Sequence, residues 1–285
     1  MRFRVAVAQF APSKAKVEQN LDRVAEVIRQ AAAESVDFVL FPETILSGYF
    51  LEGGVLDASL TIAELEQHLQ TRLQGEAINL ELCLGFYERR NGELYNSAAT
   101  VRIAKGEVRV IGVYQKFFLA TYGVFDEERF IGRGRDLCLL ESKLGRIGVL
   151  ICEDVWHSIL PTLTALKGAQ ILLVPAASPA RGFTGETIDN HDRYQRLLRG
   201  VAEEHGIFCI NAQLVGFEGG KGFLGGSMII DPFGRMVVEA PLGEEALAVA
   251  EIDMDLVAIA RSQTPLISDL RAGWSNLRRI ANEID

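Results

Sequence analysis

Residues 146–156 read Arg146-Ile-Gly-Val-Leu-Ile-Cys152-Glu-Asp-Val-Trp156. An apolar, strand-like run leads straight into a cysteine, and helix-like sequence follows as far as Leu166. A sharp strand-to-helix turn of this kind exposes the sulfur and aims backbone N–H groups at a developing oxyanion. The partial positive charge of a helix N-terminus lowers the pKa of a neighbouring thiol, and the thiolate is the reactive form. Read alone, Cys152 has a plainer explanation as a small core residue. The other cysteines, Cys83, Cys138 and Cys209, form no Cys-x-x-Cys pair, and neither a disulfide framework nor a zinc site is expected.

Outward from this segment, strand-like and helix-like stretches alternate. Upstream, Val5–Phe10 reads as a strand, and Val17–Glu34 places Leu21, Val24, Ala25, Ile28 and Ala31 on one helical face. Val36–Phe41 is almost wholly apolar, as expected of a strand covered on both faces. Thr61 to Leu73 reads as a helix. Leu82–Tyr87 and Leu94–Ile103 flank Asn91-Gly92, a strong hairpin signal, and Glu107–Val113 follows across Lys105-Gly106. Downstream come strands at Ile171–Pro175, Ile207–Ala212, Gly226–Ile230, Met236–Ala240 and Ala246–Ile252, a helix at His191–His205, and two C-terminal helices. No linker or charge block interrupts the chain, so a single domain over 1–285 is expected, with a core to about 252 and a helical extension over 253–285. Mixed hairpins and strand–helix units exclude a purely parallel doubly wound sheet, and periodicity alone does not fix how many sheets there are.

Two further strand ends carry charge. Phe41-Pro42-Glu43 puts a carboxylate directly after an apolar strand, and Tyr114-Gln115-Lys116 puts a lysine before the aromatic-rich loop Phe117 to Phe130. Each alone reads as a solvated side chain, the lysine by snorkelling. Together with Cys152 they supply a nucleophile, a proton acceptor and a cation. The Phe-Pro-Glu, Tyr-x-Lys and strand-to-Cys-Glu-Asp segments, in that order, resemble the three signature regions of the nitrilase, or carbon-nitrogen hydrolase, superfamily. That resemblance implies an α/β fold of the four-layer α-β-β-α sandwich type, with Cys152 as nucleophile, Glu43 as general base and Lys116 in the oxyanion site. It also implies a second glutamate after the lysine, for which Glu127 is the better match and Glu128 the alternative.

Within the superfamily, Tyr122-Gly-Val-Phe-Asp126-Glu127, the Ile151–Trp156 segment and Ala176-Ala-Ser178-Pro179 are most similar to the glutaminase domain of glutamine-dependent NAD synthetases. Tyr122, Glu153 and Ser178 are therefore candidate substrate contacts. The chain contains no Ser-Gly-Gly pyrophosphate loop, so an amidase, or a glutaminase serving a separate synthetase, is expected. A nitrilase is the alternative, since nitrile chemistry uses the same triad. The resemblance further implies homodimers that meet through the helices after Trp156 and from His191.

Composition agrees with a globular enzyme. Of 285 residues 48% are hydrophobic, and the net charge of −9 lacks the clustered cations a nucleic-acid partner needs. Apolar runs such as Ile171 to Ala177 fall far short of the roughly 18 residues that span a bilayer. The N-terminal run is too short for a signal peptide, so a cytoplasmic protein, off the membrane, is expected. No metal or organic cofactor is expected, because the residue spacing supplies no ligand cluster. Gly220-Lys-Gly222-Phe-Leu-Gly225 matches the GxGxxG pattern but precedes a strand with no helix between, so it reads as a flexible loop near the pocket. His157, five residues from Cys152, would point along the helix rather than at the sulfur, and His191 and His205 have no metal-ligand spacing. Trp156 reads equally as a pocket wall or as packing at the helix start.

Overall fold

The computed structural model describes residues 1–180, 183–184 and 187–284, and no side chain from 181 to 188. Its strands are β1 (Arg2–Gln9), β2 (Phe38–Leu40), β3 (Leu80–Arg90), β4 (Glu93–Ala104), β5 (Glu107–Gln115), β6 (Cys138–Ser142), β7 (Gly145–Val149) and β8 (Ile171–Ala176). The two-residue strands β9 (Phe183–Thr184) and β10 (Thr187–Ile188) follow, then β11 (Phe208–Gln213), β12 (Val215–Glu218), β13 (Lys221–Leu224), β14 (Met228–Ile230), β15 (Met236–Glu239) and β16 (Ala246–Asp253). The helices are α1 (Val17–Ala33), α2 (Ile62–Leu73), α3 (Ile159–Leu166), α4 (Asp189–His205), α5 (Asp255–Gln263) and α6 (Leu266–Ala281).

Two six-stranded sheets, ordered β16-β1-β2-β3-β4-β5 and β15-β14-β11-β8-β7-β6, face one another. Side-chain alternation explains the layering, because successive residues of a strand point to opposite faces. Val5, Val7, Phe38 and Leu40 belong to the cluster that joins the two sheets. The intervening Ala6, Ala8, Val39 and Phe41 pack with Leu21, Val24 and Ile28 of α1 and Leu65, Leu69 and Leu73 of α2. α3 and α4 cover the second sheet. The architecture is the expected α-β-β-α sandwich.

Local chemistry sets the turns. Asn91 and Gly92 have φ of +53° and +83°, and Lys105 and Gly106 have +55° and +78°, the paired left-handed values of tight hairpins. Thr61 caps α2 in a reciprocal box with Glu64.

Two expectations change. The segment after Cys152 is a single 3-10 turn, Cys152–Trp156, and an α-helix begins only at Ile159. Gly220–Gly225 is not a flexible loop: Lys221–Leu224 is the second arm of a hairpin with β12, registered from Val215↔Leu224 to Glu218↔Lys221. Strand β6 went unread because its residues are mostly half-buried and carry no clear alternation. In addition, α6 packs beside α3 and α4 and occupies part of the face expected to meet a second copy. Asp285, the end of the expected extension, lies outside the described residues. Among the described residues no helix is long and apolar enough to cross a membrane.

Gly85 on β3 is where the scaffold approaches the site most closely. A methyl there would lie 2.6 Å from Glu43 Cα and 2.7 Å from Pro42 O, both backbone atoms. Gly85→Ala should therefore destabilise the protein by about 1–3 kcal/mol, the usual cost of overpacking. A thermal melt should record a lower Tm than that of the parent protein.

Candidate active site

The turn that carries Glu43 leaves β2 through Pro42, and Gly85 N–H donates to Pro42 O at 3.1 Å. Thr44 then sits at φ +49°, unusual for a β-branched residue. Lys116 lies one residue beyond β5, held by its N–H to Asn96 O (2.9 Å) and by Gly134 N–H to its own carbonyl (2.7 Å). Glu127 opens a short 3-10 turn, Glu127–Arg129.

These three side chains meet. Lys116 Nζ donates to Glu43 Oε1 and to Glu127 Oε1, each at 2.8 Å. Asn96 Nδ2 donates to the same two oxygens, at 2.7 and 3.2 Å. The outer oxygens accept backbone N–H groups, Ala177 to Glu43 Oε2 at 2.8 Å and Ala120 to Glu127 Oε2 at 2.6 Å. Exposure is 0% for Glu43, 1% for Lys116 and 7% for Glu127, so water screens these charges little. Burial pushes Glu43 up, and Lys116 only partly offsets it. Burial alone would lower Lys116, but Glu127 and Glu43 outweigh it and hold the ammonium well above the usual lysine range. Two of the three ammonium hydrogens are committed to carboxylates, which leaves one to meet a developing oxyanion.

Cys152 begins its 3-10 turn at φ +46°, a left-handed conformation that costs a residue with a side chain about 1–3 kcal/mol. Tyr194 Oη donates to Cys152 O at 3.2 Å and helps hold it there. The expected activation by a helix N-terminus has no structural basis, because the α-helix that follows Cys152 begins only at Ile159. Burial and the charge of Glu43 push the thiol well above its ordinary range, against Lys116 and the Ala177 N–H. One 3-10 turn offers too few aligned peptides to reverse this. Both influences favour the neutral thiol over the thiolate, so attack calls for a base to take its proton.

Cys152 opens into a cavity of about 430 Å³ that Tyr122, Glu153, Trp156 and Ser178 also line. Tyr122 Oη donates to Glu153 at 2.8 Å, and Ser178 Oγ accepts from Asn190 Nδ2 at 2.6 Å. Asp189 and Arg193 complete the wall, with the guanidinium 5.3 Å from the Trp156 ring centre. Trp156 is thus a wall residue that also packs edge-on to Tyr194. Glu128 pairs with Arg133 instead of Lys116, which leaves Glu127 as the second glutamate of the cluster. His157 stacks on Phe118 and faces Glu153, His191 pairs with Glu239, and His205 contacts Thr162. Among the described residues no cluster of three or more His, Cys, Asp or Glu is placed to hold a metal ion.

Sequence reading missed Asn96, Asp154, Tyr49, Asn190 and Arg193. Asn96 left a signal as part of a polar Asn96-Ser97 pair just ahead of the apolar run of β4, and Asp154 stands in the Cys-Glu-Asp segment, though with no role read from it. Tyr49 lies with its ring centre 5.7 Å from Lys116 Nζ, and only the tertiary fold reveals it.

The carbon-nitrogen hydrolase family model matches residues 4–262. The chain belongs to this family. Among its relatives is the glutamine-dependent NAD(+) synthetase of Thermotoga maritima, 31% identical over 89% of this chain and 42% of that protein. The enzyme of the same name from Xanthomonas campestris is 32% identical over 93% of this chain and 46% of its own. The chain thus spans less than half the length of these curated relatives. A glutamine-dependent NAD+ synthetase structure from Acinetobacter baumannii superposes with a TM-score of 0.78 at 28% identity, over 90% of this chain and 47% of that one. An amidase from Nesterenkonia sp. superposes with a TM-score of 0.73 at 27% identity, over 95% and 96% of the two chains. Family membership makes this chain a carbon-nitrogen hydrolase by class.

The opposing influences on Cys152 can be separated by titration. Glu43→Gln removes a negative neighbour and should move the thiol pKa down, whereas Lys116→Ala removes a positive one and should move it up. Thiolate ultraviolet absorbance against pH checks both signs, with Cys152→Ala as the blank.

Proposed function

We propose that this chain is an amidase that releases ammonia from a small linear ω-amide bearing both ammonium and carboxylate groups, glutamine being the simplest case. The observation that carries the proposal is the cluster of Glu43, Lys116 and Glu127, buried and set beside a cysteine that opens into a cavity. The cavity wall presents both signs of charge, with Glu153 and Asp189 against Arg193. That pairing suits a zwitterionic amino acid, and Tyr122, Ser178 and Asn190 add neutral donors and acceptors.

Mechanism follows from the protonation states. Glu43, raised by burial, is a base of useful strength once ionised. It takes the Cys152 proton as Sγ attacks the amide carbon, and the carbonyl oxygen becomes negative against the free N–H of Lys116. The C–N bond breaks as Glu43 returns its proton to the leaving nitrogen, so ammonia departs and a thioester remains. Water, deprotonated by Glu43, then attacks the thioester, and the acid leaves with restoration of the thiol. Glu127 holds the ammonium from the far side and does not take the first proton.

A second reading, a glutaminase supplying ammonia to a separate synthetase, draws support from the synthetase relatives. The two readings share one site and differ in whether a synthetase raises the rate. We also propose self-association, since Ile159 of α3 and Leu266, Leu277 and Ile280 of α6 are exposed apolar residues. Light scattering should then give twice the protomer mass, and a strict monomer at micromolar concentration would contradict it.

Ammonia release should be measured against a panel of amides and nitriles. Acid-quenched mixtures of enzyme and an accepted amide should show a mass adduct that Cys152→Ala lacks. A preference for nitriles would remove the amidase reading. Lys116→Ala should lower kcat/KM by about 10²–10³-fold, the usual loss of one oxyanion donor. Lys116→Arg should recover little, because a planar fork replaces a compact ammonium in a closed space.

The pH profile supplies a further check. Glu43 must be ionised to act, and its pKa is raised, so the rate should fall as pH drops through a midpoint above the ordinary glutamate value of about 4.3. An acid limb at or below that value would show that another group is the base.

A further inference from the structure

Asp154, two residues after the nucleophile, is fully buried and plays no part in the chemistry above. Its carboxylate joins two pieces of chain that carry reacting groups. Oδ2 accepts the N–H of Ile151, the residue before Cys152, at 3.1 Å. Oδ1 accepts the N–H groups of Phe117 and Phe118, the two residues after Lys116, at 3.1 and 2.7 Å. Tyr114, two residues before Lys116, donates its hydroxyl to Oδ2 at 2.9 Å. Asp154 N–H also donates to Ile151 O at 3.0 Å, so both polar groups of Ile151 are bound by one residue.

This is an unusual place for a carboxylate. Its hydrogen-bond partners are three backbone N–H groups and a phenol, and Lys116 acts on it only through space. Burial pushes its pKa up to about 7 despite those donors. A buried charge without a contacting cation is costly, and an apolar side chain would fill the space more cheaply. The carboxylate offers something an apolar or amide group does not, namely acceptor sites for four donors at once. The donors come from both sides of the reaction centre, and one of them anchors the residue before a cysteine at φ +46°.

We propose that Asp154 is a positioning residue that sets the distance between Cys152 Sγ and Lys116 Nζ by holding both backbone segments on one carboxylate. The inference rests on the amide-hydrolase reading for its consequence in catalysis, though not for its geometry. Asp154→Asn keeps the size but replaces one oxygen by an NH2 group, which must then face a donor. In the folded variant kcat should fall by about 10²-fold with KM little changed, the cost expected of a misplacement near 1 Å. Alkylation of Cys152 by iodoacetamide, which needs no substrate, should slow in the same variant.

A purely structural role predicts a lower Tm with kcat and labelling intact below the melt, and that result would overturn the proposal. An effect confined to KM would overturn it equally. Should Asp154→Asn fail to fold, Tyr114→Phe removes a single donor from the same carboxylate and should lower kcat by a factor of several while leaving KM in place. An unchanged kcat in that variant would count against the proposal. If the parent protein turns over no amide at all, the function is wrong, and the labelling comparison still decides whether Asp154 positions Cys152.

Discussion

Lys116 shares its ammonium between Glu43 and Glu127 in a space almost closed to water, and most of the site geometry answers to that arrangement. Two carboxyl groups meet one ammonium there, with little solvent to screen them. Asn96 bridges both acids, and the N–H groups of Ala177 and Ala120 meet their outer oxygens. Removing one member of such a network leaves the others charged, buried and uncompensated. This is why three loops from different strand ends converge on one point.

The same charges govern the cysteine. A sulfur close to Glu43 cannot easily hold a negative charge at rest, and burial adds to the difficulty. A neutral thiol beside a poised base is less prone to stray oxidation or alkylation than a standing thiolate. Under the proposed mechanism nucleophile and base therefore act together, with proton transfer coupled to attack. The strained backbone at Cys152 belongs to this design: the left-handed turn is maintained by Tyr194 on its carbonyl and by Asp154 on the residue before it.

The two-sheet scaffold makes these distances reproducible. β2 and β5 of one sheet deliver Glu43 and Lys116, and the end of β7 in the other delivers Cys152, so the site spans the seam between the sheets. Gly85 lets the Glu43 turn lie against β3, and Glu218 on the β12–β13 hairpin accepts the N–H groups of Tyr49 and Phe50 from the loop that follows Glu43. The GxGxxG segment thus serves as one arm of a structural hairpin, which its glycine spacing alone could not reveal.

Much of this was legible in the chain itself. The apolar runs at Val5–Phe10 and Val36–Phe41 mark covered strands, while Asn91-Gly92 marks a hairpin, because these patterns reflect local steric rules and one-dimensional burial. The order Glu43, Lys116, Cys152 was likewise readable, since each follows closely on an apolar strand-like run. What the sequence could not express is proximity. Asn96 bridging two acids, Asp154 accepting N–H groups 36 and 37 residues away in the chain, and Arg193 lining the same cavity as Glu153 exist only once the sheets face each other. The state of the thiol was also a tertiary matter: a local reading promised activation by a helix end, but desolvation and the charge of Glu43, both products of packing, outweigh a single turn of 3-10 helix.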